Sequence, residues 1–213
     1  MTRLDLTAEE VLTTTRAVRK RLDLDRPVER EVVEACLRLA FQAPNGSDRQ
    51  TWGWVLVDDP STKMEMAAIY RAALQDFVQR PRRVDDAVPP ATGKQRRMSE
   101  SVMHLTEHLA EVPVLLVPTF EGRVENRGVF WQATNWGSIA PGVWSFMLAL
   151  RLHGLGSAWT TLHLLRESEM ATLLGIPDTE TQAGMFPIAY TRGTDFKVAD
   201  RSSSKSRVRW NHW

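Results

Sequence analysis

The sequence has 213 residues, with 27 Lys and Arg against 26 Asp and Glu, for a formal net charge of +1. That balance disfavours a dedicated nucleic-acid binder, and 43% hydrophobic with 25% charged residues is the mix of an ordinary globular chain. A single cysteine, Cys36, excludes an internal disulfide framework and fits a reducing, cytoplasmic setting.

The chain reads as one domain over residues 1–213. The N-terminus, MTRLDLTAEE, lacks the apolar stretch of a signal peptide, and the most apolar run, Ile139 to Leu150, is too short to span a bilayer. Leu4 to Thr15 predicts a first helix, ending at the basic run Arg16-Ala17-Val18-Arg19-Lys20-Arg21. A second helix is predicted from Glu29 to Gln42, with Val33, Cys36, Leu37 and Ala40 on one face. Ala43-Pro44-Asn45-Gly46-Ser47 breaks it. Trp52 to Asp58, aromatic and β-branched, predicts a strand, and Lys63 to Val78 a helix.

Residues 79–97, rich in Pro, Arg and Asp, read as a long loop or flap. Ser99 to Ala110 follows as a helix and Pro113 to Phe120 as a strand. Ser138 to Leu152 is apolar on nearly all sides, as in a buried helix, with Pro141 in its first turn and Gly154 at its stop. Gly156 to Thr160 and Phe186 to Thr191 are short strands, and residues 194–213 form a polar, basic tail. Helices and strands mix without regular βαβ alternation, so an α+β fold is expected.

No Gly-x-Ser-x-Gly elbow, phosphate-binding Gly-Lys loop or Gly-x-Gly-x-x-Gly turn is present. His104 and His108 share a helix face at zinc-ligand spacing, but no third ligand suggests itself, so two surface or partly buried histidines are expected and no metal site. Cys36, on an apolar face, reads as a small core residue. The run Arg16 to Arg21 is either a solvated basic turn or an anion site, since arginine forks match phosphate oxygens. The segment Pro44 to Trp52 is either a plain connection or a loop of hydrogen-bonding groups around a flat polar ligand.

At these two segments the sequence resembles the nitroreductase family. Arg16-Ala17-Val18-Arg19 is similar to the family's opening Arg-Ser-Val-Arg motif, and Ala43 to Trp52 to its Ala-Pro-Ser-Gly-x-Asn-x-Gln-x-Trp motif. Asp58-Asp59-Pro60, Gly154-Leu155-Gly156-Ser157-Ala158-Trp159-Thr160 and Gly193 to Lys197 with Arg201 follow in the family's order. The resemblance implies an α+β fold with a central antiparallel sheet flanked by helices, in an intertwined homodimer with an FMN site at each interface. It implies that Arg16 and Arg201 reach the FMN phosphate and that Arg19, or Lys20, lies by N1 and O2 of the ring. Ala17 stands where the family commonly has Ser. Pro44, Asn45, Gly46 and Gln50 of the second copy would line the ring, and Thr160 and Thr161 would present backbone N–H near N5.

By the same resemblance, the activity would be an FMN-dependent, ping-pong transfer from NAD(P)H to a nitroaromatic, quinone or other conjugated small-molecule acceptor. The flavin would carry the chemistry, so no protein nucleophile is needed. The alternatives are a non-catalytic FMN-storage protein and a reductive dehalogenase. Neither nucleic acid nor membrane is an expected partner.

Trp54 and Trp144 are expected in the core, and Trp52 and Trp159 lie inside the proposed flavin motifs. Burial in the core or the dimer interface is expected for Trp131, Trp136, Trp210 and Trp213. Residues 16–21, 80–97 and 192–209 hold 16 of the 27 basic residues, so the near-zero charge is a sum of segregated charges. Two of these segments coincide with the phosphate anchors, and the third with the flap, expected as a solvated loop or as a lid attracting an anionic substrate.

Overall fold

The architecture was derived from a computed structural model that describes residues 3–80, 92–201 and 207–213. Its centre is β2 (Val114–Glu121), which pairs antiparallel with β1 (Trp52–Val57) on one side and β5 (Phe186–Tyr190) on the other. β3 (Leu155–Ser157) adds antiparallel beyond β5, and β4 (Glu180–Gln182) pairs with the far end of β2. The expected antiparallel sheet is therefore present, in the order β1-β2-β5-β3.

The run Val-Leu-Leu-Val-Pro-Thr-Phe of β2 is buried on both faces, which is why it reads as continuously apolar rather than alternating. Val114, Leu116 and Phe120 face a core built with α2 (Arg30–Ala40) and α5 (Val129–Leu152). Leu115 and Val117 face a second core built with α3 (Pro60–Gln79), α4 (Gly93–His108) and α6 (Glu167–Leu174). Pro118 has no N–H for the ladder. At that position β2 passes from β5, paired at residues 114–116, to β4, paired at 119–121.

The helix starts have local causes. α1 (Ala8–Thr14) opens with a capping box, in which the Thr7 side chain accepts from the Glu10 N–H and Glu10 reaches back to the Thr7 N–H. Asp59 caps α3 by accepting from the Thr62 N–H at 2.7 Å, and Pro60 takes the first helical position, where its missing N–H costs nothing.

Three expectations change. α4 begins at Gly93, so residues 93–97 of the predicted flap are helical; a second capping box, Thr92 with Gln95, starts it. Residues 81–91 of that flap lie outside the described residues.

α5 begins at Val129, nine residues before the predicted Ser138, and Pro141 sits inside it rather than in its first turn. The Asn135-Trp136-Gly137 stretch has weak helix propensity, but tertiary contacts override it. Trp136 packs edge-on against Phe120 at 5.1 Å, and the Ser138 hydroxyl accepts from the Gly46 N–H and the Trp52 indole. Pro141 deprives the Gly137 carbonyl of its helical partner, and Gly137 is exposed to water.

Trp144 is 39% exposed rather than core, and Trp131, Trp210 and Trp213 are also exposed in the single chain. Trp54 packs against Phe41 and Phe146 as expected of a core residue.

Lys63 is a buried cation absent from the sequence reading. Its ammonium donates to the Val112 and Pro113 carbonyls at 2.7 and 3.2 Å, pinning α3 to the start of β2. Among the described residues no helix is long and apolar enough to cross a membrane.

Candidate functional site

The basic segment 16–21 is held at the sheet edge by isolated bridges. Ala17 bridges Ser157 of β3 in parallel, and Leu22 bridges Thr191. The Val18 N–H donates to the Ser157 carbonyl at 2.8 Å and the Arg192 N–H to the Arg21 carbonyl at 2.8 Å. Two sequence motifs more than a hundred residues apart are thereby brought side by side.

Arg16, Ala17, Arg19, Lys20 and Arg21 line an open cleft with Ser101 of α4 and Phe196. Its cations are not equally engaged. Lys20 meets Glu100 at 3.4 Å, and Arg21 meets Asp195 at 3.0 Å. Arg16 Nη2 and Arg19 Nε are buried and make no hydrogen bond among the described residues. A buried donor without an acceptor is costly, so this cleft suits an anionic, acceptor-rich ligand.

Arg151, in the last turn of α5, was not singled out in the sequence. Arg151 is buried in a recess adjoining the cleft, together with Arg16, Ser157 and Phe196. Burial holds its guanidinium below the usual arginine range, and the neighbouring Arg16 and Arg21 act in the same direction. Arg201 is exposed and lines neither the cleft nor the recess.

Thr160 and Thr161 differ. The Thr160 N–H is committed to the Met185 carbonyl at 3.0 Å, and its hydroxyl to the same oxygen, because Thr160 bridges Met185 next to β5. Its N–H is thus already engaged within the chain. The Thr161 N–H makes no hydrogen bond among the described residues, and Thr161 is exposed.

Two residues on, His163 is fully buried. Gln182 donates its amide N–H to the Glu167 carbonyl at 2.9 Å, which turns its oxygen toward His163 Nε2 at 3.2 Å. The network thus assigns the proton to Nε2, and burial pushes the imidazole down to about 4. Arg123 clamps Glu167 through two bonds of 2.9 and 2.7 Å, fixing the frame behind the Thr160–Thr161 turn.

Pro44, Asn45, Gly46 and Gln50 lie elsewhere in the chain, and none lines the cleft. Ser47, Asp48 and Gln50 all have left-handed φ, at 56°, 53° and 46°. Such conformations in non-glycine residues cost energy and gather at functional sites. Asn45 Oδ1 accepts from the Gln50 N–H at 2.8 Å, and the Gln50 amide donates to the Phe41 carbonyl, so the loop holds its own shape.

Trp52 and Trp159 support the loops rather than standing free. Trp52 bonds Ser138, and Trp159 donates to the Ala183 carbonyl at 2.9 Å. Cys36 is fully buried, and burial pushes its thiol up to about 12. The His104 and His108 rings lie 4.6 Å apart on α4, tilted by 49°, with His108 bonded to Glu111. A separate groove at the β1 edge, lined by the Arg30–Asp58 ion pair, Glu34 and Leu56, contains none of the expected site residues.

Comparison with known proteins agrees with this fold. The family model described as Nitroreductase family matches residues 12–190. Iodotyrosine deiodinase of Drosophila melanogaster is 29% identical over 171 residues, covering 76% of this chain and 54% of that protein. The chain therefore spans about half the length of this curated relative.

Among solved structures, an oxidized iodotyrosine deiodinase bound to FMN and 3-iodo-L-tyrosine superposes with a TM-score of 0.72 at 21% identity, over 96% of this chain and 99% of that one. An FMN- and NADPH-dependent nitroreductase, NfnB from Sphigopyxis sp. strain HMH, gives 0.71 at 19% identity, over 98% and 100%. A BluB-like flavoprotein from Clostridium difficile 630 gives 0.71 at 14% identity, over 97% and 100%. At these identities the structural likenesses establish the fold.

Proposed function

The chain belongs to the nitroreductase family, and from that premise we propose that it is an FMN-dependent oxidoreductase drawing electrons from NAD(P)H. The observation that carries the cofactor is the cleft itself: Arg16, Arg19, Lys20 and Arg21 line it, and no carboxylate is among its lining residues. Those donors fit a phosphate at one end and the electron-rich edge of a flavin at the other. When bound, FMN supplies the hydride and electron-transfer chemistry.

In this reading Arg16 holds the phosphate. Arg19 lies beside N1 and O2 of the ring, where a fixed cation stabilises developing negative charge. Lys20 is less suited to that place because Glu100 already neutralises it. Thr161 offers its N–H near N5. Pro44, Asn45, Gly46 and Gln50 serve the cleft of a second copy, which accounts for a strained loop that lines no cleft of its own. Exposed Val129, Phe130 and Trp131 at the start of α5 supply apolar surface for such a homodimer.

The acceptor class best supported is a halogenated aromatic, reduced so that carbon–halogen becomes carbon–hydrogen and halide leaves. The sequence relative and a similar structure are both iodotyrosine deiodinases. A second reading, reduction of nitroaromatics or quinones, is favoured by the likeness to NfnB.

The test is anaerobic mixing of purified yellow protein with NADH or NADPH, then with 3-iodotyrosine or a nitroaromatic. Bleaching followed by iodide release is expected. Bleaching with turnover of the nitro compound alone would select the second reading. A colourless protein that takes up no FMN would overturn both, and a flavin that neither nucleotide bleaches would indicate a storage role.

A further inference from the structure

The direction of the Thr161 N–H is set by the bonds on either side of it. The Thr160 carbonyl accepts from the Met185 N–H at 2.8 Å, and in a planar trans peptide the following N–H points the opposite way. The Thr161 carbonyl accepts from the Leu164 N–H at 3.1 Å, which holds the other side of the residue. The free donor therefore faces away from Met185. It belongs to a segment that Ser157, four residues earlier, ties to Ala17 of the cleft wall.

Both flanks of this turn lead back to Glu167. Its Oε1 accepts from the Gln182 N–H at 3.2 Å, three residues before Met185, and its carbonyl accepts from the Gln182 amide at 2.9 Å. Gln182 in turn holds His163, two residues after Thr161, at 3.2 Å. Gln182 is 1% exposed and His163 fully buried, so water cannot replace these partners. Arg123 grips the same carboxylate through both nitrogens of its fork and also donates to the Glu180 carbonyl at 2.6 Å. A bidentate guanidinium–carboxylate pair fixes orientation as well as distance.

We propose that Glu167, gripped by Arg123, is a positioning residue of the redox site: it fixes both flanks of the turn and with them the aim of the Thr161 N–H. The inference rests on the function proposed above, in which that N–H meets N5 of the flavin. The oxidised ring presents N5 as an acceptor, whereas the two-electron-reduced ring carries a proton there. A well-aimed donor thus favours the oxidised form. Arg123 and Glu167 stand behind the turn and bias the flavin potential through it.

The experiment measures the affinity for oxidised FMN by fluorescence quenching and the midpoint potential of bound FMN against a reference dye. It compares the wild type with Arg123→Met, Arg123→Lys and Glu167→Gln. Losing one aimed hydrogen bond should weaken oxidised FMN about tenfold in Arg123→Met, while reduced FMN stays within about twofold. The potential should then rise by about 30 mV, the equivalent of tenfold for a two-electron couple. Arg123→Lys keeps the charge without the fork, and Glu167→Gln keeps the shape without the charge. Both should raise the potential by less.

Equal losses in both redox states leave the potential unchanged; they would make the pair a purely structural support and overturn the proposal. An unaltered affinity in both states, or a lower potential, would overturn it as well. If Arg123→Met does not fold, the potential of Glu167→Gln decides: a rise supports the positioning role, and an unchanged or lower value overturns it. A wild type that takes up no FMN would overturn the cofactor reading and the proposal with it. A wild type that binds FMN, with variants that keep its potential, would overturn the proposal alone.

Discussion

The backbone N–H of Val18 donates to the carbonyl of Ser157 at 2.8 Å. That bond, with the Ala17–Ser157 bridge, sets the cationic segment against β3 and creates the cleft. The approach is close because Gly156 separates the two strands: a Cβ there would lie 2.7 Å from Thr191 Cγ2 and 3.0 Å from Val18 Cβ.

Gly156→Ala should therefore lower stability by about 1–3 kcal/mol through overpacking, read as a lower urea midpoint at unchanged slope. FMN retention after gel filtration should fall with it. Gly137→Ala is the control. Nothing lies within 4 Å of that added methyl, so it should be neutral or stabilising by up to about 1 kcal/mol.

The start of α4 can be tested at two residues. With Thr92 as the cap, Thr92→Ala should cost about 1 kcal/mol in thermal or urea unfolding. Ser99, where the sequence placed the helix start, lies exposed inside the helix, so Ser99→Ala should cost nothing. The opposite ranking would move the start back to Ser99.

His163 makes stability depend on pH. Its folded value of about 4 lies below the ordinary histidine value of 6.5, so between these limits the unfolded chain binds a proton that the folded chain refuses. The contribution is complete above about pH 6.5 and is lost as pH falls toward 4, by about 3 kcal/mol in all. Urea unfolding at pH 7 and pH 5 should show the wild type losing more stability than His163→Gln. Equal losses would place the histidine in a solvated environment.

Cys36 should be chemically silent. With the thiol buried and pushed up to about 12, almost no thiolate exists at neutral pH. A chromogenic disulfide reagent should label the native protein slowly and the unfolded protein at once. Cys36→Ser should cost about 1–3 kcal/mol by burying an unpaired hydroxyl, whereas flavin binding at saturation should not change.

Much of the site was legible because its parts are local. The basic run Arg16 to Arg21 and the helix-breaking Ala43 to Ser47 segment are short stretches whose residue types state their character. The capping box Thr92-x-x-Gln95 was equally legible, but a Pro- and Arg-rich surrounding led to its being read as loop. The early start of α5 was not legible, because Trp136 and Ser138 form helix there only through contacts with Phe120, Gly46 and Trp52.

By itself, the sequence determined the class of the protein: an α+β chain with a buried apolar helix, one core cysteine and basic residues gathered into three segments. Only the tertiary structure decided which of those cations are spare. Lys20 and Arg21 find carboxylates across the fold, the Thr160 N–H is taken by Met185, and Arg151 arrives beside Arg16 in a recess that no carboxylate lines. Residue type fixes which groups can bind an anion; which of them remain unsatisfied depends on partners more than a hundred positions away, and only the folded chain brings those together.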